Sequence, residues 1–157
     1  MGGGDAMIEV DQPAEMQRYV GQKLGTSEWV TVDQEKIDAF AKLTGDDNWI
    51  HVDVERARRE LPDGKTIAHG LLTLSLMPYL AAQMLKIRQR SRSINYGSNK
   101  IRFPAPVKCG ARLRLHRSLE KFEPIAGGTR LTFSNVMEIE REERPAMAAE
   151  TISVVYD

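Results

Sequence analysis

A single cysteine, Cys109, has no partner for an intramolecular disulfide, a usage expected of a reducing cytoplasm. With no second thiol and three scattered histidines, a structural zinc site is not expected either. Net charge is also absent. The chain has 22 basic and 22 acidic side chains, so no global field draws it toward nucleic acid or anionic lipid. No stretch reads as a membrane span. The most apolar segment, 67–85, is broken by His69, Ser75, Pro78 and Gln83, whereas a span needs about 20 mostly apolar residues. The opening Met1-Gly2-Gly3-Gly4-Asp5 lacks the basic and apolar regions of a signal peptide. Ala6 stands where a myristoylation signal wants Ser or Thr. The expectation is a cytoplasmic protein that binds neither nucleic acid nor membrane.

What is present is an ordinary globular composition, 41% hydrophobic and 28% charged over 157 residues. That length fits one domain, 1–157, burying roughly two-thirds of its unfolded surface, with 1–7 as a flexible arm. No internal repeat is visible. Asp11-Gln12-Pro13 predicts a capped short helix stopping near Gly21, and Trp29-Val30-Thr31 the end of a first strand. Thr31-Val32-Asp33-Gln34 has capping-box spacing. Ile37, Phe40, Ala41 and Thr44 then recur at helical intervals up to Gly45, a natural stop. Asp53 is placed to cap a short helix through Glu60, ended by Leu61-Pro62-Asp63-Gly64. From His69-Gly70 to about Lys86 the pattern predicts a helix apolar all round, hence surrounded by protein, with Pro78 kinking it. Strands follow at 94–103, 112–122, 129–140 and 146–156. Alternation is plain in Arg112-Leu113-Arg114-Leu115-His116, and Leu131, Phe133, Met137 and Ile139 share one face. One long helix followed by an antiparallel sheet that covers it is an α+β arrangement.

The segment richest in chemistry is Leu43-Thr44-Gly45-Asp46-Asp47-Asn48-Trp49-Ile50-His51. Asp46 and His51 are five residues apart, which on an unbroken helix separates their side chains by about 140°. They converge only if the backbone turns between them, and Gly45, the aspartates and Asn48 are the residue types that turn a chain. A carboxylate and an imidazole brought together can hold a water and move its protons near neutrality.

Phe40, this segment and Ala57 closely resemble the signature of the MaoC-like, (R)-specific enoyl-CoA hydratases (hydratase 2). Ile67-Ala68-His69-Gly70 and Arg102-Phe103-x-x-Pro106-Val107 are similar to that family too. The wording Asp46-x-x-Trp49-Ile50-His51, with Ile94-Asn95-Tyr96-Gly97, resembles its nodulation-protein-N branch. The resemblance covers roughly 20–155. It implies a hot-dog fold, a sheet wrapped around a long helix, and a homodimer with active sites near the subunit interface. It implies Asp46 and His51 as the catalytic pair and the Gly70 N–H as the donor to the substrate carbonyl, with Asn48 either lining the site or only forming an Asx turn. The implied reaction is syn addition of water to a trans-2-enoyl-CoA, giving an (R)-3-hydroxyacyl-CoA. No cofactor is implied, since CoA is part of the acyl-CoA thioester substrate. As the first residue of a helix, Gly70 has an N–H unpaired within it, at the positive end of the dipole.

The remaining candidates have plainer readings. Asp47 is expected to be a solvated turn residue, Trp49 packing, His69 structural at the helix start, and His116 exposed. Asp46, His51 and Asp53 lack the spacing of a metal site, and neither Ser75 nor Cys109 lies in a nucleophile elbow. Lys86, Arg88, Arg90 and Arg92 are explained by the C-terminal dipole of the long helix, with CoA phosphates a second possibility. Two other functions remain open. A hot-dog thioesterase often carries a carboxylate on the central helix, and 69–86 has none. A non-catalytic acyl-CoA-binding dimer fits less well with intact Asp46, Asn48 and His51. The 60–65 stretch departs from the family's glycine-rich wording, which leaves the shape of that loop open.

Overall fold

Leucines at alternate positions set the sheet. In a strand, 113, 115 and 119 fall on one face, and all three are fully buried. The computed structural model describes residues 5–157, so the first four residues of the expected arm lie outside the described residues. Residues 5–7 have no regular structure.

In chain order, β1 (Ile8–Val10) leads through a 3-10 helix (Pro13–Tyr19) to β2 (Lys23–Thr26) and β3 (Val30–Val32). Helices α1 (Gln34–Thr44), α2 (Trp49–Val52), α3 (Val54–Glu60) and α4 (Gly70–Ala81) follow. Then come β4 (Leu85–Ile87), β5 (Arg92–Arg102), β6 (Ala111–Ile125), β7 (Gly128–Ile139) and β8 (Met147–Tyr156). The main sheet runs β2-β6-β7-β8-β5, with β3 also paired to β6, and every pairing is antiparallel. Gly127 turns β6 into β7 at φ 76°. At Gly128 a Cβ would lie 2.2 Å from the Val155 carbonyl oxygen, so the crossing strands meet there without room for a side chain. The α+β arrangement read from the sequence is the one found.

The expected local signals hold for α1. Asp33 Oδ1 accepts from Lys36 N at 3.0 Å, and Gly45 ends the helix at φ 78° with its N–H bonded to Ala41 O at 2.8 Å. Asp33, not Thr31, is the cap. Near the N-terminus the predicted helix is 3-10 and begins at Pro13, with Gln12 at the cap position. Glu15 Oε1 accepts from the N–H groups of Asp11 and Gln12, each at 2.9 Å.

Three expectations are corrected around α4. The helix stops at Ala81 instead of about Lys86, because Leu85–Ile87 pairs in parallel with Ile8–Val10. It is not surrounded. Leu72, Thr73, Met77, Leu80 and Ala81 are buried against the sheet, while Leu71 (60%) and Tyr79 (64%) stay exposed. Nor does a helix dipole account for the basic run. Arg88 bonds to Asp11 at 3.0 Å and Glu9 at 2.5 Å, and Arg92 lies over the Tyr156 ring.

Among the described residues two clusters fill the interior. One joins α1 and α4 to β6–β8 through Ile37, Leu72, Met77, Leu80, Leu113, Leu115 and Met137. The other seats Val10, Met16, Leu24 and Ile87 against Leu119, Leu131, Phe133 and Val155. At the far edge β5 has no strand beside it among the described residues. From Arg92 to Lys100 every residue is exposed. Among the described residues no helix is long and apolar enough to cross a membrane.

His116 is not exposed as expected but half-buried. Its Nε2 meets Glu138 Oε2 at 2.5 Å and its Nδ1 meets Thr26 Oγ1 at 3.2 Å. The register puts Arg114 opposite Glu138, and hydrogen bonds from that guanidinium hold the Glu138 carboxyl below its ordinary 4.5, with His116 adding to the effect. A carboxyl with a depressed folded pKa stabilises fully above its unfolded value, and that stabilisation is lost as pH falls through the folded one. Thermal melts should show a full, constant advantage of wild type over Glu138→Gln above pH 4.5 that shrinks as the pH falls below it, until the two converge in stronger acid. Parallel curves across that window would remove Glu138 from the acid response.

Candidate active site

Gly45 ends α1, and the loop that follows delivers Asp46. Thr44 Oγ1 shapes this turn by donating to Phe40 O at 2.8 Å and accepting from Asp46 N at 3.3 Å. Asn48 then caps α2, its Oδ1 accepting from Ile50 N at 3.3 Å. Its side chain therefore does form the Asx contact, while remaining exposed beside the site. The short helix places His51 inward, 9% exposed. Gln34 braces it from α1, with Nε2 donating to His51 O at 2.8 Å and Oε1 accepting from Thr66 Oγ1 at 2.5 Å.

The tautomer of His51 follows from its partner. Nδ1 lies 2.5 Å from Ile67 O, which can only accept, so Nδ1 carries the proton. In the neutral ring Nε2 then keeps its lone pair, the state a general base needs. His69 behaves likewise. Its Nε2 donates to the Asp46 backbone oxygen at 2.8 Å, and its buried Nδ1 has no partner among the described residues.

The sequence reading assigned His69 to the helix start, but its ring makes no capping bond there. It stacks on His51, with centroids 3.8 Å apart and planes at 25°, and meets Phe40 at 4.9 Å on its other side. One donor atom each from Asp46, His51 and His69 lies within 4.8 Å of the others. Near-parallel imidazoles send their in-plane lone pairs along parallel planes and not onto one point, so the arrangement suits proton transfer better than chelation. Asp53, the third residue considered with Asp46 and His51, is elsewhere, capping α3 through Arg56 N at 2.9 Å. Asp47 is exposed, and Trp49 packs under the Arg56 guanidinium at 4.0 Å.

Gly70 is the first residue of α4, next in the chain to the stacked His69, and its N–H has no acceptor within the helix. A Cβ there would lie 2.9 Å from Phe103 Cδ2. Phe103 is thus a wall of the site that its motif gave no reason to single out. Gln34 was missed as well, since its contacts join segments that only the fold brings together.

A profile of the MaoC like domain matches residues 15–138. The chain belongs to the MaoC-like dehydratase family. This MaoC-like protein is 47% identical over 147 residues to 3-hydroxyacyl-thioester dehydratase Z of Mycobacterium tuberculosis, an alignment covering 93% of this chain and 97% of that one. With nodulation protein N of Rhizobium leguminosarum bv. viciae it shares 45% over 145 residues, 90% and 89% of the two chains. It superposes on an (R)-hydratase of Pseudomonas aeruginosa at a TM-score of 0.72 and 23% identity, covering 88% and 82%. That likeness establishes the shared hot-dog fold.

Proposed function

We propose that this MaoC-like protein is an (R)-specific enoyl-CoA hydratase, acting in both directions between trans-2-enoyl and (R)-3-hydroxyacyl thioesters. The observation that carries the reading is the convergence of the Asp46 carboxylate with a His51 whose Nε2 is free, beside the unpaired Gly70 N–H. In hydration the water oxygen bonds to the β-carbon as the conjugated double bond opens. His51 Nε2 takes the water's proton, and Asp46 holds the water and shares in passing a proton to the α-carbon. The Gly70 N–H stabilises the negative charge that gathers on the thioester oxygen. Because two close groups titrate together, the pair is best treated as one acid–base unit. No cofactor enters these steps.

The acyl chain has a place to go. A cavity of about 370 Å³ lies along α4, walled by Leu74, Ser75, Met77 and Pro78 on the helix and by Gly97 and Ile152 on the sheet. Leu74 and Pro78 follow Gly70 at four-residue intervals, so they share its face of the helix. No carboxylate stands on α4, which leaves nothing there to drive thioester hydrolysis.

The working unit in this reading is a homodimer. β5 offers a long unpaired edge, and Leu43 (83%), Leu71, Tyr79 and Tyr96 (62%) are large apolar side chains left in water. Sedimentation of the purified chain should give the mass of two copies, and a monomer at micromolar concentration would sink the dimer.

For the activity, crotonyl-CoA and a longer trans-2-enoyl-CoA should lose their conjugated absorbance on incubation, with an (R)-3-hydroxyacyl product on chiral analysis. Inertness toward a whole chain-length panel, or an (S) product, would refute the assignment.

A further inference from the structure

Arg117 is out of place. It stands on β6 in step with Leu113, Leu115 and Leu119, on the face that the strand turns to the core. Its guanidinium lies over the Phe133 ring, 3.7 Å from the centroid, and Nε is enclosed without a hydrogen-bond partner. No carboxylate pairs with it among the described residues. Desolvation lowers its pKa to about 10, which still leaves it cationic at neutral pH. Its cross-strand neighbour Asn135 is also incompletely satisfied. The amide nitrogen donates to Thr151 Oγ1 at 2.9 Å, while the buried Oδ1 has no partner among the described residues. Arg117 is half-buried, and a charge drawn out of water without a partner is costly to keep.

The cation borders an opening. A cavity of about 270 Å³ separates the second half of α4 from the sheet, with Met77, Pro78, Ala81, Leu85 and Leu131 among its walls and Arg117 beside Phe133. It shares Met77, Pro78 and Asn95 with the larger cavity along α4, so the two adjoin. From Gly70 to Pro78 the helix rises about 12 Å. The cation therefore lies well beyond the reacting carbons, toward the far end of any chain laid along the helix.

We propose that the Arg117 cavity binds a carboxylate carried on an apolar chain. Met77, Ala81, Leu85 and Leu131 suit the chain, and the planar Arg117 guanidinium suits a carboxylate's two oxygens. Arg90, Ser93 and Ser153 on the same lining add a second positive charge and hydrogen-bonding groups. Such a group has two sources. It is either the distal carboxylate of a dicarboxylic acyl thioester whose head is at Asp46, His51 and Gly70, or the head of a free fatty acid bound on its own. The first source rests on the hydratase reading and narrows its substrate class, while the second does not depend on it.

The experiment compares wild type with Arg117→Met, which keeps length without charge, and Arg117→Lys, which keeps charge without the planar fork. One arm measures kcat/KM for trans-2-enoyl-CoAs of graded length ending in methyl or in carboxylate. The other titrates octanoate calorimetrically. A distal-carboxylate site predicts that at one length wild type prefers the carboxylated substrate at least tenfold, and that Arg117→Met loses the preference. A free-acid site predicts saturable octanoate binding, weakened at least tenfold in Arg117→Met and several-fold in Arg117→Lys. If carboxylated chains gain nothing in wild type and octanoate binds no better than to either variant, the proposal is overturned. Should Arg117→Met fail to fold, Arg117→Lys decides by the same comparisons. If wild type does not hydrate crotonyl-CoA, the hydratase reading fails while the octanoate arm still judges the cavity.

Discussion

His51→Ala is expected to lower hydration turnover by about 10²–10⁴-fold, the usual contribution of a positioned acid–base group. It should also lower the melting temperature, for a reason separate from catalysis. His51 is buried, and its Nδ1–H satisfies the Ile67 carbonyl. Removing the ring leaves that oxygen without its donor, and removes the surface on which His69 stacks. His51→Asn separates the two effects. Its amide nitrogen can take the place of Nδ1 as donor to Ile67 O, but no basic nitrogen remains where Nε2 was. Turnover should fall as far as in the alanine variant while most of the stability returns. Asp46→Asn should match the loss of turnover with no change in melting, because Asp46 is exposed and it is its backbone oxygen that anchors His69. Since the two side chains act on one water, the double variant should be little worse than either single one. Near-normal crotonyl-CoA hydration in His51→Asn would remove the imidazole from the chemistry.

The parts of the fold legible in the sequence are those decided within a few residues. Asp33, Gly45 and Asp53 act on their own neighbours, and each marks a helix end where local chemistry puts one. Alternation in β6 and β7 reports burial directly. The end of α4 was misread because an apolar run does not say whether it continues a helix or begins a strand. What decides it is Ile8–Val10, over seventy positions away in the chain and paired in parallel with Leu85–Ile87. The Asp46 to His51 turn was legible because its spacing demands one. The place of His69 was not, since its stacking partner comes from α2 and its acceptor from the loop after α1. Arg117 was hidden by its own polarity. The register that buries Leu115 and Leu119 also turns this arginine inward, and only the cavity beside it gives that position a use.

Gly70→Ala should reduce kcat/KM for crotonyl-CoA by about 10²-fold, the scale of loss when a catalytic group is displaced by about 1 Å. The backbone is no obstacle, since Gly70 is not at positive φ and alanine can adopt its conformation, so the variant should fold. The damage is local. A Cβ at position 70 would lie 2.9 Å from Cδ2, 3.0 Å from Cγ and 3.1 Å from Cε2 of Phe103, closer than carbon atoms pack. Either the ring swings outward, which its 41% exposure permits, or the start of α4 shifts and carries the 70 N–H away from the thioester oxygen. Phe103→Ala in the Gly70→Ala background distinguishes these. If the shift of α4 causes the loss, clearing the ring should restore most of the rate. If the methyl group itself stands where the thioester approaches, the double variant should stay as slow as Gly70→Ala, with the deficit mainly in KM. A Gly70→Ala variant as active as wild type would show that no ligand comes close to this backbone, and would remove the Gly70 N–H from the reaction.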